Sequence, residues 1–481
     1  MACSVGPTPM PELDILNLSR GAVTAPAGCG KTQLIADSLK LQGGAKPALV
    51  LTHTNAGKAA LEARLAKAKV PRDAYRVSTI DSWSVRLISK FPARSGHKPD
   101  ILRLENPATD YPAVRNAAWK LLASGDIAGA LAATYCRLLV DEYQDCTIPQ
   151  HQIVDWAAGV LPTCVLGDPL QAIFGFREPT VDWTKDVHHL FPSVGELSTP
   201  WRWRNAGADN LGRWLLESRA QLMARKPIDL SNAPAEVTWV QLPADVNAAH
   251  LKRLEAAMTK APTPQGTVLV IGDSTNPTGQ RQVASQTPGA TTVEAADLRD
   301  LTAFGRNFDA ASSNSLPALV EFAAELMTNL GGKELLRRVD SLSKGTARKE
   351  ANAAEARALD FMKVPSYATA LAALQAFENV DGVRVYRPEV LHVLKGALQT
   401  AGRGECSFLE AVVHARERNR HIGRSVARRA VGSTLLLKGL EADVAVVLNP
   451  AAMDARHLYV ALTRGAKRLV VCSQSPMLIP T

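Results

Sequence analysis

The sequence predicts an α/β protein built as two parallel-sheet domains, each interrupted by a helical insertion. Three observations carry that expectation. The chain has 481 residues, too many for a single ordinary core. Short apolar runs such as Ala48–Thr52, Arg137–Val140 and Val444–Leu448 read as buried strands that end in polar residues, where parallel sheets place their ligands. Other stretches, such as Ser315–Leu330, Tyr367–Phe377 and Cys406–Arg420, repeat their apolar residues at helical spacing and are rich in Ala, Leu, Lys, Arg and Glu.

Taken in order, strands are expected at Gly21–Thr24, Ala48–Thr52, Arg76–Thr79, Arg137–Val140 and Thr163–Leu166, which makes residues 1–82 and 134–200 the first α/β domain. Residues 83–133 carry no strand signal and contain two helical stretches, Tyr111–Ser124 and Asp126–Tyr135, so they read as a small insertion. The second domain, residues 201–310 and 429–481, has strands at Glu236–Gln241, Thr267–Ile271, Val431–Leu437, Val444–Leu448 and Leu469–Cys472. Residues 311–428 form its helical insertion.

Composition narrows the class. The apolar runs fall well short of the roughly 20 residues that span a bilayer, and no charged leader followed by an apolar stretch opens the chain, so a cytoplasmic protein with no membrane contact is expected. The seven cysteines are scattered singly, which argues against a disulfide framework or a structural zinc site. With 55 Lys and Arg against 46 Asp and Glu, the formal charge is +9, suited to a polyanionic partner.

The chemistry concentrates in two places. Ala25-Pro26-Ala27-Gly28-Cys29-Gly30-Lys31-Thr32 follows a short strand and opens a helix that continues with Gln33; this is a phosphate-binding loop. Its glycines let backbone amides wrap phosphates, Lys31 supplies positive charge, and the Thr32 hydroxyl is a ligand for Mg²⁺. Leu138-Leu-Val-Asp-Glu-Tyr-Gln-Asp145 puts two acids at a strand end. There Asp141 would hold Mg²⁺ and Glu142 would polarise a water beside the γ-phosphate of ATP. Phe174 and Phe176, flanking Gly175, are flat side chains suited to base stacking in a chain with only 5% aromatic residues.

These strings resemble the UvrD/Rep/PcrA branch of superfamily 1 helicases, and the likeness continues in order. Val50-Leu-Thr-His-Thr-Asn55 is similar to motif Ia and Ser78-Thr-Ile-Asp-Ser82 to motif Ib. Val165 to Arg177, Leu197-Ser-Thr-Pro-Trp-Arg202, Ser433 to Glu441 and Tyr459-Val-Ala-Leu-Thr-Arg464 resemble motifs III, IV, V and VI. The resemblance implies two RecA-like P-loop NTPase domains and ATP with Mg²⁺ between them. It also implies 3′ to 5′ movement on single-stranded or partly duplex DNA. Gln171 would sense the γ-phosphate, Arg202 and Arg464 would reach it from the second domain, and Glu441 would contact the nucleotide sugar. Trp201 would stack on the base, and His53, Thr54, Asn55, Phe174, Phe176 and Arg177 would lie along the strand.

The chain departs from the family pattern in three ways. No glutamine precedes Gln33, so the usual reader of the adenine edge is missing; His53 stands where a phenylalanine is usual; and Leu435 stands where a histidine is usual. These changes, with the short insertions, also suit a second reading, a nucleotide-sensing subunit that partners a nuclease, as in Gabija-type anti-phage systems.

Overall fold

The structure is a computed structural model, and it describes residues 13–175, 178–421 and 427–480. Five strands form in the first part of the chain: β1 (Arg20–Thr24), β2 (Ala48–Thr52), β3 (Tyr75–Thr79), β4 (Arg137–Val140) and β5 (Thr163–Gly167). A sixth, β6 (Ser193–Glu196), has no apolar run to announce it. Together they make a six-stranded sheet in the order β3-β2-β4-β5-β1-β6, parallel throughout.

The two faces of this sheet follow from the period-two alternation of strand side chains. Val23, Val50, Leu139 and Leu166 point into one core, with Leu34, Ile35 and Leu39 of α1 (Lys31–Leu41) and Leu61 and Leu65 of α2 (Asn55–Lys67). Ala22, Leu51, Leu138, Val140 and Val165 point into the other. That second core is closed by α3 (Ile80–Lys90), by the helix Pro107–Ala123 through Val114, Ala118 and Leu121, and by the helix Ile148–Ala158. Helices from residues 83–133 thus share one core with the sheet. Each fully buried Leu or Val contributes about 1.5 to 3 kcal/mol relative to exposure, which holds the carboxyl ends of β1, β4 and β5 in one row.

A short pair, β7 (Ile228–Asp229) with β16 (Met477–Leu478), is antiparallel. The second large sheet contains β8 (Val237–Gln241), β9 (Val268–Gly272), β10 (Ala290–Thr292), β13 (Arg429–Ser433), β14 (Ala442–Val447) and β15 (Gly465–Ser473), in the order β10-β13-β9-β14-β15-β8. The pairs β10–β13, β13–β9 and β9–β14 are parallel. Between β10 and β13 the chain is mostly helical and carries its own core of Leu319, Phe361, Leu374, Leu394 and Val412, among others, with one two-stranded antiparallel ribbon, β11 (Met327–Thr328) and β12 (Arg384–Val385). Two six-stranded sheets in a mixed α/β chain fit two RecA-like domains. No helix among the described residues is long and apolar enough to cross a membrane.

Two expected elements change. The strand read over Val431–Leu437 ends at Ser433, whose hydroxyl accepts from Leu436 N–H at 3.3 Å and caps a helical turn over Thr434–Leu437. The helix read over Ser315–Leu330 stops at Ala324, because Asn329 and Gly331 take positive φ and Met327–Thr328 leave to pair as β11. Packing also divides the chain differently from the boundary drawn at residue 200. One compact unit is Met1–Val237 with Ala451–Arg468 and Met477–Thr481; the other is Thr238–Pro450 with Leu469–Pro476. The reason lies in residues 201–223. Trp203 is buried and donates its indole N–H to Gly465 O at 2.8 Å, and Arg219 is buried against Asp168. By these contacts Arg202 and Arg464 pack in the unit that carries the phosphate loop.

One buried group makes stability depend on pH. His151 is buried, its Nδ1 lies 2.7 Å from the Tyr143 phenol, and burial lowers its pKa below the usual value of about 6.5. Burial also holds the phenol well above its own range, so the bond joins two neutral groups. As pH falls below about 6.5 the unfolded chain takes up a proton that the folded chain refuses, and stability is lost from there downward. His151→Asn is expected to lower the urea midpoint at pH 8 yet to lose less between pH 7 and pH 5 than the parent does; an equal loss in both would rule out His151 as the source.

Candidate nucleotide site and strand-facing residues

The phosphate loop leaves the carboxyl end of β1. Gly28 and Gly30 take φ of +72° and +88°, conformations that strain any residue with a Cβ. A Cβ on Gly28 would also meet the Trp203 ring at 2.5 Å, and one on Gly30 the Trp201 ring at 2.9 Å. Ala25 needs no such freedom: it is buried in the core beneath the loop, and its amide donates to Gly167 O at 2.8 Å. Pro26, Ala27 and Cys29 are buried as well. No side chain caps the first turn of α1 and no acid lies in it, which leaves that end suited to an anion.

Lys31, the first residue of α1, reaches back to the end of β4. Its Nζ lies 2.9 Å from Asp141 Oδ1 and 2.6 Å from Glu142 Oε1. Burial by itself would lower the ammonium's pKa, but the two carboxylates outweigh it and hold the group above its usual range. Burial raises the Asp141 carboxyl, with Lys31 opposing and Glu142 adding to the rise. Glu142 sits in the left-handed region at φ +55°. There its Oε2 accepts from Gln144 Nε2 at 2.5 Å, while Gln144 Oε1 accepts from Asp168 N–H at 3.1 Å. Gln144 thus ties the acidic turn to the segment that follows β5. The close passage requires Gly167, where a Cβ would lie 2.5 Å from Gln144 Oε1.

Gln171 is buried and donates from Nε2 to Asp168 Oδ2 at 3.1 Å. Thr32 follows Lys31 on α1, and Gln33 donates to Asp37 Oδ1 at 2.8 Å, a bond within its own helix. Residues of the motif IV and motif VI strings close on the loop. Arg202 N–H donates to Gly28 O at 3.0 Å, and Arg202 Nη1 donates to Thr463 O at 2.6 Å. Arg464 is buried, with Nε on Val460 O at 2.8 Å and Nη2 on Thr463 Oγ1 at 3.1 Å. Trp201 is 45% exposed, with Arg204 over its ring at 5.4 Å, and its Cδ1 edge lies against Gly30. Glu441 lies in the other compact unit, exposed just before β14.

Reading the sequence did not single out Tyr459, Trp203, Gln144 or Arg219. The Tyr459 hydroxyl accepts the Ala27 amide at 3.0 Å, and burial holds its phenol protonated. All of these except Arg219 fall inside or beside the motif strings; for Arg219 the signal was a charge at a position of buried periodicity. Among the strand candidates, His53 and Phe174 stack, with ring centroids 6.1 Å apart and 29° between planes. Thr54 caps α2 by accepting from Gly57 N–H at 3.0 Å, and Asn55 begins that helix, exposed. Phe176 and Arg177 lie outside the described residues.

Glycines at positive φ, an uncapped helix start, a buried ammonium and an acid pair at the next strand end suit a nucleoside triphosphate with a divalent cation. No curated protein matches the chain. Residues 103–192, which include the acidic turn and Gln171, match the family model of the UvrD/REP helicase N-terminal domain. That match supports the membership implied by the ordered motifs, a UvrD-like superfamily 1 helicase.

Proposed function

We propose that the chain is an ATP-hydrolysing translocase that moves along single-stranded DNA, with the 3′ to 5′ polarity that its family resemblance implies. The observation that carries the reading is Lys31 bound between Asp141 and Glu142 at the end of β4. A general base and a metal ligand are both held by the residue that must release them when phosphates arrive. On nucleotide binding, Lys31 transfers from the carboxylates to the β- and γ-phosphates. Asp141 and Thr32 would then hold Mg²⁺, which would supply neutralising charge for the phosphate oxygens.

Freed from Lys31, Glu142 is a carboxylate already aimed by Gln144. It accepts a proton from the attacking water as the new O–P bond forms and the bond to the ADP oxygen breaks. Gln171, Arg202 and Arg464 donate to the phosphoryl oxygens, a contribution that for an arginine can reach roughly 10³ to 10⁵ in rate. The partly exposed indole of Trp201, already against Gly30, stacks on the base. The stacked His53 and Phe174 rings supply a platform for a nucleobase, and the excess of basic residues supplies the charged track.

Lys31→Ala and Glu142→Gln are both expected to abolish hydrolysis, the first with loss of nucleotide affinity and the second with affinity retained. Equilibrium binding of a fluorescent ATP analogue separates the two, and near-parental turnover in Glu142→Gln would remove it as the base. Phe174→Ala is expected to weaken single-strand binding by about 1 to 3 kcal/mol while DNA-free hydrolysis stays within twofold. Fluorescence anisotropy with a labelled oligonucleotide checks this, and an unchanged affinity would take Phe174 off the strand path.

A further inference from the structure

We infer that Arg219, outside every motif of the family resemblance, is the positioning residue for the γ-phosphate sensor Gln171, acting through Asp168; this rests on the ATPase reading proposed above. The helix Asp209–Met223 buries Leu211, Leu215, Ser218, Arg219 and Leu222, a stripe with the spacing of one helix face. Arg219 therefore occupies a place where an apolar residue would serve packing. A guanidinium there is costly to bury unless it is fully paired.

It is paired on both sides. Nε and Nη2 donate to Asp168 Oδ1 at 3.3 and 3.1 Å, and Nη1 donates to Glu196 Oε1 at 2.6 Å, at the end of β6. Asp168 is fully buried. Its Oδ1 also accepts Leu170 N–H at 3.2 Å, and its Oδ2 accepts Gln171 Nε2 at 3.1 Å. Both oxygens of this carboxylate thus hold the turn that carries the sensor, Oδ1 through Leu170 N–H and Oδ2 through the Gln171 amide.

The consequence concerns the rotation of one amide. A primary amide nitrogen carries two hydrogens, and a bond from one to Asp168 directs the other away along a set direction. Without Arg219 the buried carboxylate loses its compensating charge. The carboxylate is then free to turn toward water, away from the Gln171 amide it orients. Buried ion pairs replaced by apolar residues often leave stability unchanged or higher, so packing gives no reason to keep this arginine, whereas orientation of Gln171 does. A cavity of about 370 Å³ borders Arg219 and Glu196, walled also by Thr24, Pro169, Trp183 and Met223; it gives a small cation a route to the place the guanidinium occupies.

The test uses the full chain, with steady-state hydrolysis, nucleotide binding and thermal melting measured together. Arg219→Ala is expected to lower kcat by about 100-fold, the scale of a misplaced catalytic group, with KM for ATP and single-strand affinity within about threefold. Millimolar guanidinium chloride, against equal sodium chloride, is expected to restore at least tenfold of that loss. Arg219→Lys keeps a charge that cannot bridge both carboxylates, and it is expected to fold and to fall between the two. Parental kcat in either variant overturns the inference. So does a loss of turnover that follows a lowered melting temperature and resists guanidinium, because that is the behaviour of a merely structural residue. Should Arg219→Ala not fold, the kcat of Arg219→Lys decides alone. A parent chain that does not hydrolyse ATP overturns the functional reading and this inference with it, whereas an active parent with an equally active Arg219→Ala overturns the inference only.

Discussion

The contact on which the site depends is the buried ammonium of Lys31 between Asp141 and Glu142. The two carboxylates hold the ammonium charged, while burial and the neighbouring Glu142 push the Asp141 carboxyl up. Leaving one member without its counter-charge costs several kcal/mol in buried pairs generally, because the remaining charge has neither water nor a partner. The arrangement therefore sets where α1 begins, how β4 ends and why Glu142 accepts a left-handed backbone.

The sheet makes that contact possible. Strands β1 and β4 are not neighbours; β5 lies between them, and the loop after β1 reaches across it to the acids after β4. Both strands are aligned by parallel registers, Ala22 with Val165 and Leu139 with Cys164. Burial on both faces resists a slip, since a shift of one residue would exchange every core side chain between the two cores. Gly167 adds a local constraint at the end of β5, where only a hydrogen leaves room for Gln144 and Trp183.

Around this centre the polar groups form small linked sets within the first compact unit. Gln144 joins Glu142 to the Asp168 amide, Asp168 joins Gln171 to Arg219, and Thr463 joins Arg202 to Arg464. Tyr459 and Trp203 fasten the loop from its other side, through the Ala27 amide and against Gly28. Such a network is specific because each buried donor or acceptor left without its partner costs about 1 to 3 kcal/mol.

The amino-acid sequence by itself determined the strands β1 to β5, the phosphate loop and the acidic turn, because each is a local pattern. Apolar runs of four or five residues make buried strands, glycines permit positive φ, and acids at a strand end have nowhere else to go. It also determined the ordered motifs that resemble the UvrD/Rep/PcrA branch, of which the family match covers those within residues 103–192. It did not reveal β6 or β10, whose segments Ser-Val-Gly-Glu and Ala-Thr-Thr carry too few apolar side chains to stand out. Nor did it reveal the helical turn at Thr434, which depends on a single serine cap. Tertiary structure alone decided that residues 201–237 and 451–468 pack in the unit that holds the loop, that Thr54 spends its hydroxyl as a cap, and that Arg219 faces Asp168. Each of these unites residues distant in the chain, and the energy that settles them, the pairing of buried charge and the filling of space beside glycine, exists only once the chain has folded.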